Sequence, residues 1–95
     1  MERRTGFVGI LLEDRACAEE VNHVLAAHAD LILARLGLPR RSVGTPVITL
    51  VVEATTDEMG TLTGRLGAIK GVSVKSALAK PIPRQEGGEG QTVHS

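Results

Sequence analysis

The sequence predicts an α+β fold, a four-stranded antiparallel sheet with two helices on one face. Three features point to it. Short runs rich in Val, Ile and Leu stand at 5–12, 47–54 and 72–79, with the length and composition of strands. The stretches that begin at Asp14 and Asp57 repeat apolar residues at helical spacing. Gly and Pro gather at 37–46, where they supply turn chemistry between two such elements. The order strand, helix, (strand), strand, helix, strand is the βαββαβ ferredoxin-like pattern, provided that residues 30–36 supply the strand in parentheses.

The first run, Thr5 to Leu12, is continuously apolar and is ended by charge at Glu13, which reads as a strand buried on both faces. Asp14 is the expected N-cap of the first helix. Glu19 and Glu20 lie near its start, where the helix dipole favours them, and Val21, Val24, Leu25 and His28 share a stripe. The end of this helix has two readings. Ile32 and Leu36 extend the stripe to a Gly37 cap, giving one helix of about 22 residues and roughly 33 Å. Alternatively the chain breaks near Ala29-Asp30 and Leu31 to Leu36 is a strand, with Leu31, Leu33 and Arg35 on one side and Ile32, Ala34 and Leu36 on the other. The residue pattern alone favours the long helix.

Gly37 to Pro46 is a loop. Val47 to Ala54 is the clearest strand, with Val47 and Val51 on one side and Ile48, Leu50 and Val52 on the other. The second helix runs from Asp57 to Lys70, with Thr56 as N-cap, acidic residues in its first turn and Gly71 as its stop. Val72 to Ala79 is the last strand. From Pro81 onward Pro, Gly, Gln and Glu dominate, so residues 1–80 are expected to form the domain and 81–95 a disordered tail.

Two helices cover one face of such a sheet, yet the first and third strands are apolar on both. An exposed apolar face of that size marks an interface, so a homo-oligomer, dimer or tetramer, is expected through the open face or its edge.

Composition narrows the functional classes. Eleven Lys and Arg balance eleven Asp and Glu, which leaves no basic surface for nucleic acid or for a membrane. Phe7 is the sole aromatic residue, so there is no platform for stacking bases. One cysteine, Cys17, excludes an intrachain disulfide and fits a reducing cytoplasm. Arg3-Arg4, Gly6 to Leu12 and Ala16-Cys17-Ala18 loosely imitate a secretion signal, but Glu13-Asp14-Arg15 interrupts it with charge. No apolar run reaches the length of a membrane-spanning helix.

Sites for chemistry are sparse. Cys17, His23, His28 and His94 do not converge at metal-ligand spacing, so no metal is expected within one chain, and a site between subunits stays open. His28 is expected to interact with the last carbonyls of the first helix. No nucleophile stands at a useful spacing from a base, so no catalytic residues, no enzyme activity and no cofactor are expected. Arg35, Arg40 and Arg41 flank the central loop, as an anion site or as a solvated tip. The most unusual feature is a ridge of Gly60, Gly64, Gly67 and Gly71, which fall within about 60° of one another on a helix. Interior glycines cost about 1 kcal/mol each relative to Ala. The ridge either admits a ligand or neighbouring subunit to the bare backbone, or reflects a turn at Gly60, a cap at Gly71 and tight packing between them.

Glu13-Asp14-Arg15, Val21-Asn22, Leu33-Ala34-Arg35-Leu36-Gly37-Leu38-Pro39, and then Gly60, Leu62, Gly64, Leu66-Gly67, Ile69, Gly71-Val72 and Lys75 carry a family likeness. Over roughly Met1 to Lys80 the chain resembles the iron-only hydrogenase system regulators, small bacterial proteins with an ACT-like, ferredoxin-like fold. The resemblance implies that residues 30–36 are a strand, which completes βαββαβ. It further implies a non-enzymatic regulatory module that senses a small ligand, often an amino acid, near the loop before the second helix. Asp57, Met59 and Gly60 are the positions carried over, with Gly64 beside them as a ligand-binding candidate on the glycine ridge. A protein partner would transmit the signal. The related nickel-responsive repressors hold metal through several His and a Cys, a set not found here. They also carry a separate DNA-binding domain, for which the four residues before the first strand leave no room.

Overall fold

The computed structural model describes residues 2–38 and 44–80. Arg4–Leu12 forms β1, Ala18–Ala27 α1, Ile32–Leu38 β2, Val47–Ala54 β3, Thr56–Gly67 α2 and Val72–Leu78 β4. The sheet order is β2-β3-β1-β4, and each neighbouring pair is antiparallel. This is the expected α+β, ferredoxin-like βαββαβ arrangement. The predicted tail at 81–95, the loop arginines Arg40 and Arg41, and His94 lie outside the described residues.

The period-two alternation of each strand sorts its side chains. Val8, Ile10 and Leu12 of β1 and Ile48, Leu50, Val52 and Ala54 of β3 are buried under the helices. Val21, Val24 and Leu25 of α1 and Met59, Leu62 and Leu66 of α2 meet them from above, so the core is almost wholly aliphatic. The opposite face of the same strands stays open. Phe7, between Val51 and Ala77 in the register, is 53% exposed, and Leu11, Leu36, Leu38 and Val51 are exposed beside it. Strand β1 is therefore buried on one face only, because the two helices cover just that face.

The long-helix reading of 14–36 gives way to a break after Ala27. His28 N donates to Leu25 O and Leu31 N to His28 O, which tightens the chain into a 3₁₀ turn at Ala29–Leu31 before β2 begins. Within β2 the expected alternation is also corrected. Ile32 pairs with Val52 and Ala34 with Val51, so one residue is extra at this bulge. Ile32 consequently stands on the helix side with Arg35, while Ala34, Leu36 and Leu38 share the open face with Val51, Thr49 and Val47. Arg35 reaches α1, where its Nη2 donates to Asn22 Oδ1 at 2.6 Å.

Helix starts differ from expectation by a few residues. Asp14 caps a 3₁₀ turn at Arg15–Cys17, its Oδ1 accepting from Ala16 N at 3.0 Å, and α1 follows without a side-chain cap. For α2 the cap is Thr55, not Thr56. The spacing explains it: Glu58 stands three residues after Thr55, and the two satisfy one another's backbone N–H groups. Gly71, at φ +86°, turns the chain from α2 into β4 as expected of a stop residue.

Candidate functional site

The capping box fixes the geometry at the start of α2. Glu58 N donates to Thr55 Oγ1 at 3.1 Å, and Thr55 N donates to Glu58 Oε1 at 2.9 Å. Arg3 Nη1 approaches the same carboxylate at 3.3 Å. With Glu58 so held, Asp57 projects outward from the first turn.

Asp57 lines a cleft of about 370 Å³ between the end of α1 and the start of α2. Ala27, His28, Asp30, Leu31, Glu58 and Thr61 complete its lining. Glu58 is committed to Thr55 and Arg3. Asp30 and Asp57 have no side-chain hydrogen-bond partner among the described residues, so their acceptors face the cleft rim. The free carboxylates of Asp30 and Asp57 and the hydroxyl of Thr61 make an acceptor-rich opening that suits an ammonium group. On the surface, Arg65 Nη1 lies 3.0 Å from His28 Nε2 and ties α2 to the end of α1. Arg donates only, so Nε2 accepts and the ring proton sits on Nδ1. His28 thus holds Arg65, not the last carbonyls of its own helix through its ring.

The four residues singled out in the sequence separate into two groups. Asp57, Gly60 and Gly64 share the outward side of α2, within about 60° of one another. Met59 points the other way and is buried in the core. Of the four, Asp57 alone lines the cleft. A Cβ built on Gly60, Gly64 or Gly67 would meet nothing within 4 Å, so packing among the described residues explains none of them. Gly60 also lies inside α2, not in a turn before it. Gly71 belongs to a different device, the tight turn into β4. Thr61 follows Asp57 by one helical turn of α2, a spacing visible in the sequence, whereas it takes the 3₁₀ turn at Ala29–Leu31 to bring His28 and Asp30 beside them.

Cys17 is buried, with its Sγ 3.7 Å from Gly71 O. Among the described residues no group of three or more His, Cys, Asp and Glu is placed to hold a metal ion. No described helix is long and apolar enough to cross a membrane.

The topology and core define an α+β protein of the ferredoxin-like fold. Residues 4–76 match the model of the TM1266-like family, described as "Iron-only hydrogenase system regulator, putative", and the chain belongs to that family. The uncharacterized protein TM1266 from Thermotoga maritima is 39% identical and superposes with a TM-score of 0.76, over 83% of this chain and 100% of that one. CPII, a nitrogen regulatory PII-like protein from Thiomonas intermedia K12 bound to ADP, AMP and bicarbonate, is 16% identical with a TM-score of 0.47, over 84% of this chain and 100% of that one. CPII bound to ADP, AMP and acetate is 16% identical with a TM-score of 0.45, over 85% and 94% of the respective chains. No curated protein matches the chain.

Proposed function

We propose that this chain is a non-enzymatic, cytoplasmic regulatory module of an iron-only hydrogenase system, acting as a homo-oligomer that senses a small effector such as an amino acid. The observation that carries the reading is the cleft beside Asp57, whose free carboxylate acceptors suit the ammonium group of such an effector. Asp57 binds the effector, and the bare backbone at Gly60 and Gly64 lets it or a neighbouring subunit approach α2 closely; Met59 supports this turn from the core. Occupancy changes the relation between α1 and α2, and a partner protein reads the change. Membership of the regulator family supports the regulatory role. A buried free thiol at Cys17 fits a reducing compartment.

Calorimetric titration with the free amino acids tests the reading. At least one binds the wild type, and Asp57→Asn weakens it by about tenfold, the loss of one charge-assisted contact. Absence of binding by every amino acid at millimolar concentration would overturn it. The exposed apolar sheet face favours a second reading, an interaction module without ligand. Val at Gly60 or Gly64 separates the two: a lost ligand response in an intact oligomer supports sensing, and a lost oligomer supports subunit packing.

A further inference from the structure

The open face of the sheet carries two charged residues among the described strand positions, Glu53 and Lys75, and they are related through Phe7. In the register Phe7 pairs with Val51 on β3 and with Ala77 on β4. Glu53 lies two residues beyond Val51, opposite Thr5, and Lys75 lies two residues before Ala77, opposite Gly9. Each is therefore one strand across and two residues along from Phe7, in opposite directions. With strands about 4.8 Å apart and about 3.4 Å per residue, both lie roughly 8 Å from Phe7 on one diagonal. Both are exposed, and neither side chain has a hydrogen-bond or ion-pair partner among the described residues. Around this diagonal the face is apolar, with Leu11, Val51, Leu36 and Leu38 exposed beside Phe7.

We infer that a second copy of this chain docks on the face about a two-fold axis through Phe7, with Lys75 of each copy meeting Glu53 of the other. Charge complementarity selects this occupant. An in-plane two-fold perpendicular to the diagonal lays Lys75 over Glu53 and Glu53 over Lys75 in one operation, and it stacks Phe7 on its own counterpart. The apolar surface supplies the affinity, and the two peripheral ion pairs fix the register and exclude parallel alternatives. A membrane surface would want a basic face, and here the two charges cancel. The inference rests on the homo-oligomer reading above and refines it, choosing the face over the edge.

Sedimentation velocity on the wild type, Lys75→Glu, Glu53→Lys and the double variant tests it. Each single variant creates two like-charge contacts by symmetry and weakens the dimer by about tenfold or more, while the double variant returns it to within about threefold of wild type. Circular dichroism confirms that all four fold, since both positions are exposed. Phe7→Cys provides a second readout: on the axis its thiol faces its own counterpart across sheets about 10 Å apart, so a short bis-maleimide joins the two chains, whereas the wild type, with buried Cys17, is not joined. An oligomeric wild type whose singles associate unchanged, or whose double variant fails to recover, overturns the two-fold through Phe7 and leaves the oligomer intact. A monomeric wild type overturns both.

Discussion

Gly71 and Asp14 are in such close contact that no side chain fits between them. A Cβ on Gly71 would lie 2.5 Å from the Asp14 Cβ, and the Gly71 carbonyl accepts from Glu13 N at 2.7 Å and from Asp14 N at 3.3 Å. The turn into β4 is thereby locked to the segment that leads into α1. Replacing Gly71 by Ala adds a left-handed backbone penalty of about 1–2 kcal/mol to that collision. Urea denaturation of Gly71→Ala should show a loss of at least about 2 kcal/mol, and near-native stability would contradict this role.

Gly60 and Gly64 predict the opposite sign. Both are in α2 with open space where a Cβ would stand, so Ala at either position gains helix propensity at no steric cost. Gly60→Ala and Gly64→Ala should each raise stability by about 0.5–1 kcal/mol. Effector binding or assembly should weaken in the same variants. Stability gained together with function lost is what a ridge kept bare for another molecule produces, and calorimetry beside thermal melting reads both.

Thr55 and Thr56 form a matched pair for testing the start of α2. Thr55→Ala removes the Oγ1 acceptor of Glu58 N and should cost about 1 kcal/mol. Thr56→Ala, one residue on and exposed, should change stability by less than about 0.5 kcal/mol. Equal effects in chemical denaturation would contradict the assignment of the cap.

Leu62 tests the aliphatic core. It is fully buried between α2 and the sheet, so Leu62→Ala should lose about 2–5 kcal/mol. A smaller loss in urea denaturation would mean that the helices sit less firmly on the sheet than their packing indicates.

The strands were legible because period-two alternation is local: it groups Val8 with Ile10, and Ile48 with Leu50 and Val52, but only the placing of the helices makes that side, and not the side of Phe7 and Val51, the core. So were Met59, Leu62, Leu66 and Ile69, whose helical spacing places them on one buried side. The residues at 28–36 were not, since their apolar spacing satisfies a helix and a strand alike, and tertiary pairing with β3 decides. The bulge at Ile32/Ala34 leaves no local mark in the sequence, yet it moves Ile32 to the helix side. The cap at Thr55 was missed by one residue although the Thr-x-x-Glu spacing carried it. For the site, Asp57 was legible as a first-turn acid. Its cleft was not, because Asp30 and His28 reach it through a turn and a helix pairing that no sequence separation announces.

The most direct test of the central claim, a ligand-sensing assembly of identical chains, is native mass spectrometry on the protein purified gently from its own host. A dimer or tetramer of the 10.0 kDa chain carrying a stoichiometric small mass is the expected result. An empty monomer at about 10 µM, well above the dissociation constant of a specific interface, would contradict it.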